Sequence, residues 1–512
     1  MSQRTIKWVL IIIAALLYVM QLADYVNFSV DDTFISMRVA RNVADGYGFV
    51  YNIGDNVEGF SNWLWVVFMV IPLKLGFFSG ESMLGLLWFA KGLSIIFSIL
   101  TLITLYLFLK RVFIDEPYKE YYAIGGVVSL ISCAIFTSWS MSGMETTSWT
   151  FFLLSSVVSL ASLINEKNDR HLRTVIISSI LLVSTVLSRP EGIYIAAILL
   201  SVCMLISRKT SRNKYVLMVS IAVVLVYAGF LLWRWNTYHD IFPNTYYAKT
   251  GGGLRSYLFG IKYAVAGFGS ISALILVFAP LALFIYKSYK DAVTLTLSVV
   301  LALTFFMIYS SGDWMPGFRF VVPIIPLLII LALIGVKSVI VNADRIKSHK
   351  VAFAAVIGVS AVGSIFAGRT LIRAEAPNLG SAFYMADGHL LPSHKLVANW
   401  LREHSDSTTL FACGEAGLIG YMNQKLRMID LNGLMDKHIA YDRKDRKPFD
   451  VEYVLDQNPK YILLHGSHQE GRERFDLPKS NDYFGMMSSS PRLHNEYQIV
   501  YKCTSFDVYG RK

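Results

Sequence analysis

Apolar residues in this chain arrive in blocks of roughly twenty, separated by short polar loops. That spacing restricts the fold more than any other feature. A helix of about twenty residues matches the hydrocarbon thickness of a bilayer, where each backbone amide must find its partner inside its own segment. Blocks of this kind cover residues 8–22, 84–109, 121–139, 147–164, 174–188, 191–206, 216–233, 270–286, 291–309, 321–341 and 351–368, about eleven spans. Of the 512 residues, 54% are apolar and only 16% are charged, against about 25% charged in soluble domains. A soluble enzyme, a disordered chain and a fibrous repeat are excluded, and a polytopic α-helical membrane protein remains.

The net charge of +11 would suggest nucleic acid in a soluble protein, but here it sets topology. Lys110-Arg111, Lys167 with Arg170 and Arg173, Arg208 with Lys209, Arg212 and Lys214, Lys287 with Lys290, and Arg345 with Lys347 and Lys350 all fall in alternate loops. Those loops are therefore expected in the cytoplasm, and no nucleic-acid partner is expected. Arg4 and Lys7 precede an uncleaved first helix, so the first loop, 24–62, faces out. Residues 61–79 are also apolar, yet a single crossing there would invert every later loop. They are read as re-entrant or interfacial.

From Arg369 the chain turns polar. Leu396–Glu403 has a helical pattern, Thr408–Cys413 and Leu426–Leu431 strand patterns, Val451–Gln457 a helical one and Tyr461–Leu464 another strand. The expected division is a membrane domain over 1–368 and an α/β domain over 369–512. The charge rule puts the latter on the periplasmic or extracellular side. Cys133 and Cys203 read as packing residues, whereas Cys413 and Cys503 could pair in an oxidising compartment. His389, His394, His404, His438, His465 and His468 are read as surface residues. No HExxH, Walker or GxSxG motif occurs, which argues against a nucleotide-driven pump.

Polar groups concentrate in the loops expected outside. Asp31-Asp32 open an amphipathic stretch in which Ile35, Val39 and Val43 recur at helical spacing, with Arg38 and Arg41 further along and a stop at Gly46-Tyr47-Gly48. A helix N-cap needs one carboxylate; a second beside it costs repulsion, so either a cap or a general base fits the pair. Guanidinium groups suit a phosphate because each donates two parallel hydrogen bonds, and Arg38, Arg41, Arg189 and Arg319 are the candidates. Glu58, Asn62, Glu145, Glu191, Tyr246, Lys249, Asp313 and Trp314 combine carboxylate, amide, cationic and aromatic groups suited to sugar hydroxyls and ring faces. Carboxylates and Asn could hold Mg²⁺ or Mn²⁺, although nothing in the pattern demands a cation.

The run Asp31-Asp32-Thr33-Phe34-Ile35 with Arg38, Arg41-Asn42, Gly46-Tyr47-Gly48, Tyr51-Asn52, Val57-Glu58-Gly59-Phe60-Ser61-Asn62 and Trp65 resembles the first outer loop of the bacterial arabinofuranosyltransferase family of GT-C glycosyltransferases. Further motifs are similar: Ser142-Gly143-Met144-Glu145-Thr146, Arg189-Pro190-Glu191-Gly192, Pro243-Asn244 with Tyr246, Gly312-Asp313-Trp314-Met315-Pro316 with Arg319-Phe320, and Ile429-Asp430-Leu431-Asn432-Gly433-Leu434. The resemblance covers nearly the whole chain. It implies a GT-C fold with a periplasmic α/β domain and a polyprenyl-phosphate-linked sugar donor. It also implies transfer to a glycan acceptor outside the membrane, such as lipopolysaccharide or arabinan. One of Asp31 and Asp32 would be the catalytic carboxylate, and Glu58 and Asp313 further pocket carboxylates. The rivals are a lipid-linked glycan transporter or flippase, a glycan ligase, and a non-catalytic scaffold. Nearly charge-free spans and the lack of two similar halves oppose the transporter.

Overall fold

The computed structural model describes residues 3–78, 83–165, 171–249, 253–315, 317–342, 358, 385–386, 389–390, 392–465, 483–503 and 506–512. The chain forms two compact units, each assembled from separated segments. The first comprises Met1–Val26, Lys91–Gly229 and Ser256–Arg373; the second comprises Asn27–Ala90, Phe230–Arg255 and Ala374–Lys512. The units thus do not follow the linear division expected at 368/369, a boundary that lies outside the described residues. Most of the first loop belongs with the C-terminal segment.

Among the described residues seven helices are long and apolar enough to cross a bilayer: Thr5–Asp24, Gly85–Val112, Thr146–Asn165, His171–Ser188, Asn213–Tyr238, Lys290–Tyr309 and Arg319–Val339. Two bent pairs raise the number to nine: Lys119–Ile131 with Ala134–Ser140, bent by 70°, and Leu254–Gly269 with Ala273–Ser288, bent by 106°. Three of the eleven expected blocks are not single straight spanning helices. The block 121–139 breaks where Cys133 takes an extended conformation. The block 270–286 is the second limb of a bent pair, with Pro280 opening a 3₁₀ stretch. Gly192–Ser207 has 16 residues, about 24 Å of helix, which is short of a full crossing. The eleventh block, 351–368, lies almost wholly outside the described residues.

In the first unit, Arg319–Val339 and Thr146–Asn165 are buried over 89% and 83% of their apolar windows, against 17% for Thr5–Asp24. The first two form the centre, and the exposed Leu16, Val19 and Ile103 form part of the apolar exterior that a bilayer covers. Small residues set helix spacing, as is usual in membranes. A Cβ on Gly335 would meet the Phe278 carbonyl, and one on Gly260 the Ile308 backbone.

In the second unit, the first-loop helix spans Asp32–Ala44 and closes at Gly46 and Gly48, whose φ values of +91° and +86° suit glycine. Residues 61–79 contribute a helix over Trp63–Lys74 of 12 residues, too short to span alone. The C-terminal segment builds a five-stranded sheet from β1 (Leu410–Cys413), β2 (Arg427–Asp430), β3 (Tyr461–His465), β4 (Tyr497–Lys502) and β5 (Phe506–Arg511), in the order β2-β1-β3-β5-β4. β1 pairs in parallel with β2 (Ala412 opposite Ile429) and β3 (Ala412 opposite Ile462); β5 runs antiparallel to β3 and β4. The helix expected at Leu396–Glu403 extends over Pro392–His404. One face of the sheet is closed by Ile429, Ile462, Leu464, Val454, Leu455 and Met487. Cys413 and Cys503 are free thiols.

Candidate active site

The second unit holds the acidic pair. Asp31 occupies the residue before the first-loop helix, but its side chain makes no capping bond there. Its two carboxylate oxygens instead accept backbone N–H groups of the C-terminal segment, from Gly417 to Oδ2 and from Leu418 to Oδ1, each at 2.8 Å. Gly417 permits this approach, because a Cβ there would strike Asp31. Burial, with Glu415 and Asp32 nearby, pushes the Asp31 carboxyl up to about 8, while the two N–H groups pull the other way. Asp32, beside it, is half-buried.

Arg38 departs from expectation. Its guanidinium is wholly buried and donates from Nε to Tyr51 O at 2.9 Å, from Nη1 to Gly420 O at 2.7 Å and from Nη2 to Leu426 O at 2.8 Å. The Tyr51 ring stacks 4.1 Å away, and the Tyr51 hydroxyl donates to Ala416 O. Asn52 completes the joint: its amide donates to Met428 O at 2.9 Å and accepts Met428 N–H at 3.1 Å. It pairs the outer edge of β2 as another strand would. Arg38 is thus a structural bolt, and the phosphate role expected of it is withdrawn. Arg41 is half-buried, with its Nε donating to the Tyr421 hydroxyl at 2.8 Å.

Glu58 faces a partner that the sequence did not mark. Arg234 meets it with Nε at 2.6 Å from Oε2 and Nη2 at 3.1 Å from Oε1, both residues buried. Burial nevertheless pushes the Glu58 carboxyl up to about 7. The Asn244 amide donates to the carbonyls of Gly433, Leu434 and Asp436 at 2.9–3.1 Å, which joins two motifs quoted from distant parts of the sequence. Asn62 donates to Ser36 Oγ at 2.9 Å. Tyr246 is half-buried and stacks on Phe242, while Lys249 is exposed.

The first unit gathers the other candidates into a buried ion network. Arg189 donates from Nη1 to Glu145 Oε1 at 2.6 Å and from Nε to Glu191 Oε1; Arg319 Nε lies 2.8 Å from Asp313 Oδ2, and its Nη1 3.9 Å from Glu145 Oε1. The Phe320 ring lies 5.2 and 5.3 Å from the two guanidinium carbons. Two guanidinium groups thus face three carboxyl groups. Trp314, next to Asp313, is exposed.

Besides Arg234 and Glu415, Lys91 and His394 also escaped the sequence reading. Lys91 is wholly buried and donates to Val26 O at 3.0 Å and Met141 O at 2.9 Å. A lone lysine inside an apolar block was the available signal. His394, expected at the surface, is wholly buried against Phe506 with ring centroids 5.1 Å apart. Among the described residues, two groups in the second unit bring ligand atoms within 4.8 Å of one another: Asp31, His394 and Glu415, and separately His438, Asp442 and Asp450.

Comparison with known proteins fits this frame. A family model for a domain of unknown function (DUF8728) matches residues 386–510. No curated protein matches by sequence. Among solved structures, ArnT from Cupriavidus metallidurans bound to undecaprenyl phosphate aligns over 99% of this chain and 98% of its own, with a TM-score of 0.63 at 13% identity. Its apo form gives 0.62 over the same shares, again at 13% identity. The arabinofuranosyltransferase AftD from Mycobacteria aligns over 100% of this chain and 40% of its own, with a TM-score of 0.50 at 13% identity. The chain thus shares the fold of ArnT, a helical membrane domain with an α/β domain, as expected from the sequence.

Proposed function

We propose that the chain is a membrane glycosyltransferase that moves one sugar from a polyprenyl-phosphate donor to a cell-envelope glycan. The observation that carries this reading is the likeness over nearly the full length of both chains to ArnT, a GT-C glycosyltransferase solved with undecaprenyl phosphate. An acidic pair directly after the first span supports it. Arabinofuranose is the favoured sugar, from the resemblance of the first-loop motif, and lipopolysaccharide or arabinan the favoured acceptor. The reaction takes place on the periplasmic face of a bacterial inner membrane, with the C-terminal domain on the same side.

Asp31 or Asp32 removes the acceptor hydroxyl proton. Burial raises the proton affinity of the Asp31 carboxyl, and each of its oxygens keeps a lone pair beyond the bond it accepts; Asp32 is the more accessible. A polyprenyl phosphate leaves as an anion, so a cation near its oxygens stabilises the charge that builds as the glycosidic bond breaks. Arg41 is the proposed cation in the second unit; in the first unit the proposed cations are Arg189 and Arg319. Glu58, Asn62, Glu145, Glu191, Tyr246, Lys249, Asp313 and Trp314 are proposed to contact sugar or acceptor.

The test is transfer by the purified full chain from synthetic polyprenyl-phosphate sugars, with the product linkage read by mass spectrometry and NMR. Asp31→Asn and Asp32→Asn are assayed one at a time, and at least one should abolish transfer in a folded protein. Full activity in both variants would remove the base from the acidic pair. Failure of every lipid-phosphate sugar, with translocation of an intact lipid-linked glycan instead, would replace the transferase with a transporter.

A further inference from the structure

We propose that Asp31, His394 and Glu415 form a binding site for a divalent transition cation of the zinc or manganese class. One imidazole nitrogen and two carboxylate oxygens, one from each residue, lie within 4.8 Å of one another. Ligands about 2.1 Å from a single ion are about 3.0–3.5 Å apart in tetrahedral or octahedral geometry. The trio therefore has to close by about 1–2 Å at most, within reach of small side-chain torsions. Asp31 and His394 are buried and Glu415 is half-buried, so the site keeps one side toward solvent for entry.

Three features hold the ligands in place. The Gly417 and Leu418 N–H groups fix the Asp31 carboxylate, as outer-shell donors do around bound metals. The Phe506 ring meets the His394 ring nearly edge-on, at 89°. Glu415 follows the carboxyl end of β1, where the sheet order turns from β2 on one side to β3 on the other. Open α/β sheets bind ligands at that kind of position. An imidazole among the ligands favours Zn²⁺ over Ca²⁺, and the two carboxylates admit Mn²⁺. A divalent ion also relieves the repulsion between two carboxylates held close together with little water. The inference does not rest on glycosyl transfer, since metal binding is measured whether or not a sugar donor is found.

The experiment is a Co²⁺ titration of the purified full chain in detergent, read by visible ligand-field bands, with Zn²⁺ in competition and bound metal measured by mass spectrometry. One equivalent should bind to the wild type and to His438→Ala, which disables the exposed His438–Asp442–Asp450 group. His394→Ala should weaken binding by at least about 100-fold, because even outer-shell partners are worth about 10–100-fold. Glu415→Gln provides a second variant should His394→Ala fail to fold, and it should weaken binding in the same direction. Three results would overturn the proposal: no saturable binding in the wild type, unchanged binding in Glu415→Gln, or binding lost only in His438→Ala.

Discussion

Replacing Arg38 by lysine separates a structural bolt from a phosphate ligand. The substitution keeps the positive charge and most of the aliphatic stem, so a role that needs only charge survives in part. The structure demands more than charge. Three buried carbonyls, of Tyr51, Gly420 and Leu426, each take a different guanidinium nitrogen at 2.7–2.9 Å. An ammonium at the end of a linear chain is a point donor and cannot serve three carbonyls arranged around a planar fork. At least two of them lose their partner. A buried polar group left without one costs about 1–3 kcal/mol, giving about 2–6 kcal/mol in all. At about 2–4 °C per kcal/mol for a unit of this size, the melting midpoint should fall by at least 4 °C. The assay is thermal unfolding of the purified protein in detergent, with limited proteolysis of the C-terminal segment as a second readout. Arg41→Lys is the comparison and should leave the midpoint nearly unchanged. An Arg38→Lys protein that melts like the wild type, resists protease equally well and has lost only donor binding would refute the reasoning.

Other perturbations follow from the same geometry. Arg189→Met should cost about 3–5 kcal/mol, because Glu145 and Glu191 stay buried without their cation; wild-type thermal stability would contradict the network described. Gly417→Ala should destabilise the second unit by about 1–3 kcal/mol, since the added methyl overlaps Asp31, and faster protease cleavage near residue 417 is the readout. Stability of the second unit should fall as pH rises from about 4 to 8. Asp31 (about 8), Asp430 (about 7) and Glu58 (about 7) are all raised by burial, so the folded state binds more protons than the unfolded one across that range. The stabilisation is complete near pH 4 and is lost as pH passes through 7–8; denaturant midpoints that rise with pH over this window would count against it.

The spans were legible because block length and apolar content are local properties. The first-loop helix and the strands β1 to β3 were legible for the same reason: 3.6-residue or short apolar patterns bounded by glycine. The two bent pairs were less visible, since Ser132-Cys133 and Ser270-Ile271-Ser272 carry no strong breaker and the kinks come from packing. The site divided along similar lines. Asp31, Glu58, Glu145, Arg189 and Asp313 stood out as charges beside apolar blocks. What each charge faces was not encoded nearby. Arg38 binds carbonyls 382 and 388 residues away, Glu58 binds Arg234 176 residues away, and His394 is buried by Phe506. Residue type marked where chemistry is concentrated, and only the tertiary contacts revealed which groups are already held by the protein itself.

The Arg38–Gly420 bond also has a consequence for biogenesis. At about 5–20 residues per second, a ribosome needs about 20–80 s to make the residues separating the two partners. Throughout that interval the first loop carries a polar fork that has its Tyr51 acceptor but lacks those of Gly420 and Leu426, which have not yet been synthesised. Premature collapse would trap it, so the nascent loop has to stay hydrated, or be sheltered by a chaperone, until the tail emerges. Emergence of the segment around Gly420 and Leu426, rather than insertion of the early helices, would then mark the moment at which the second unit can mature.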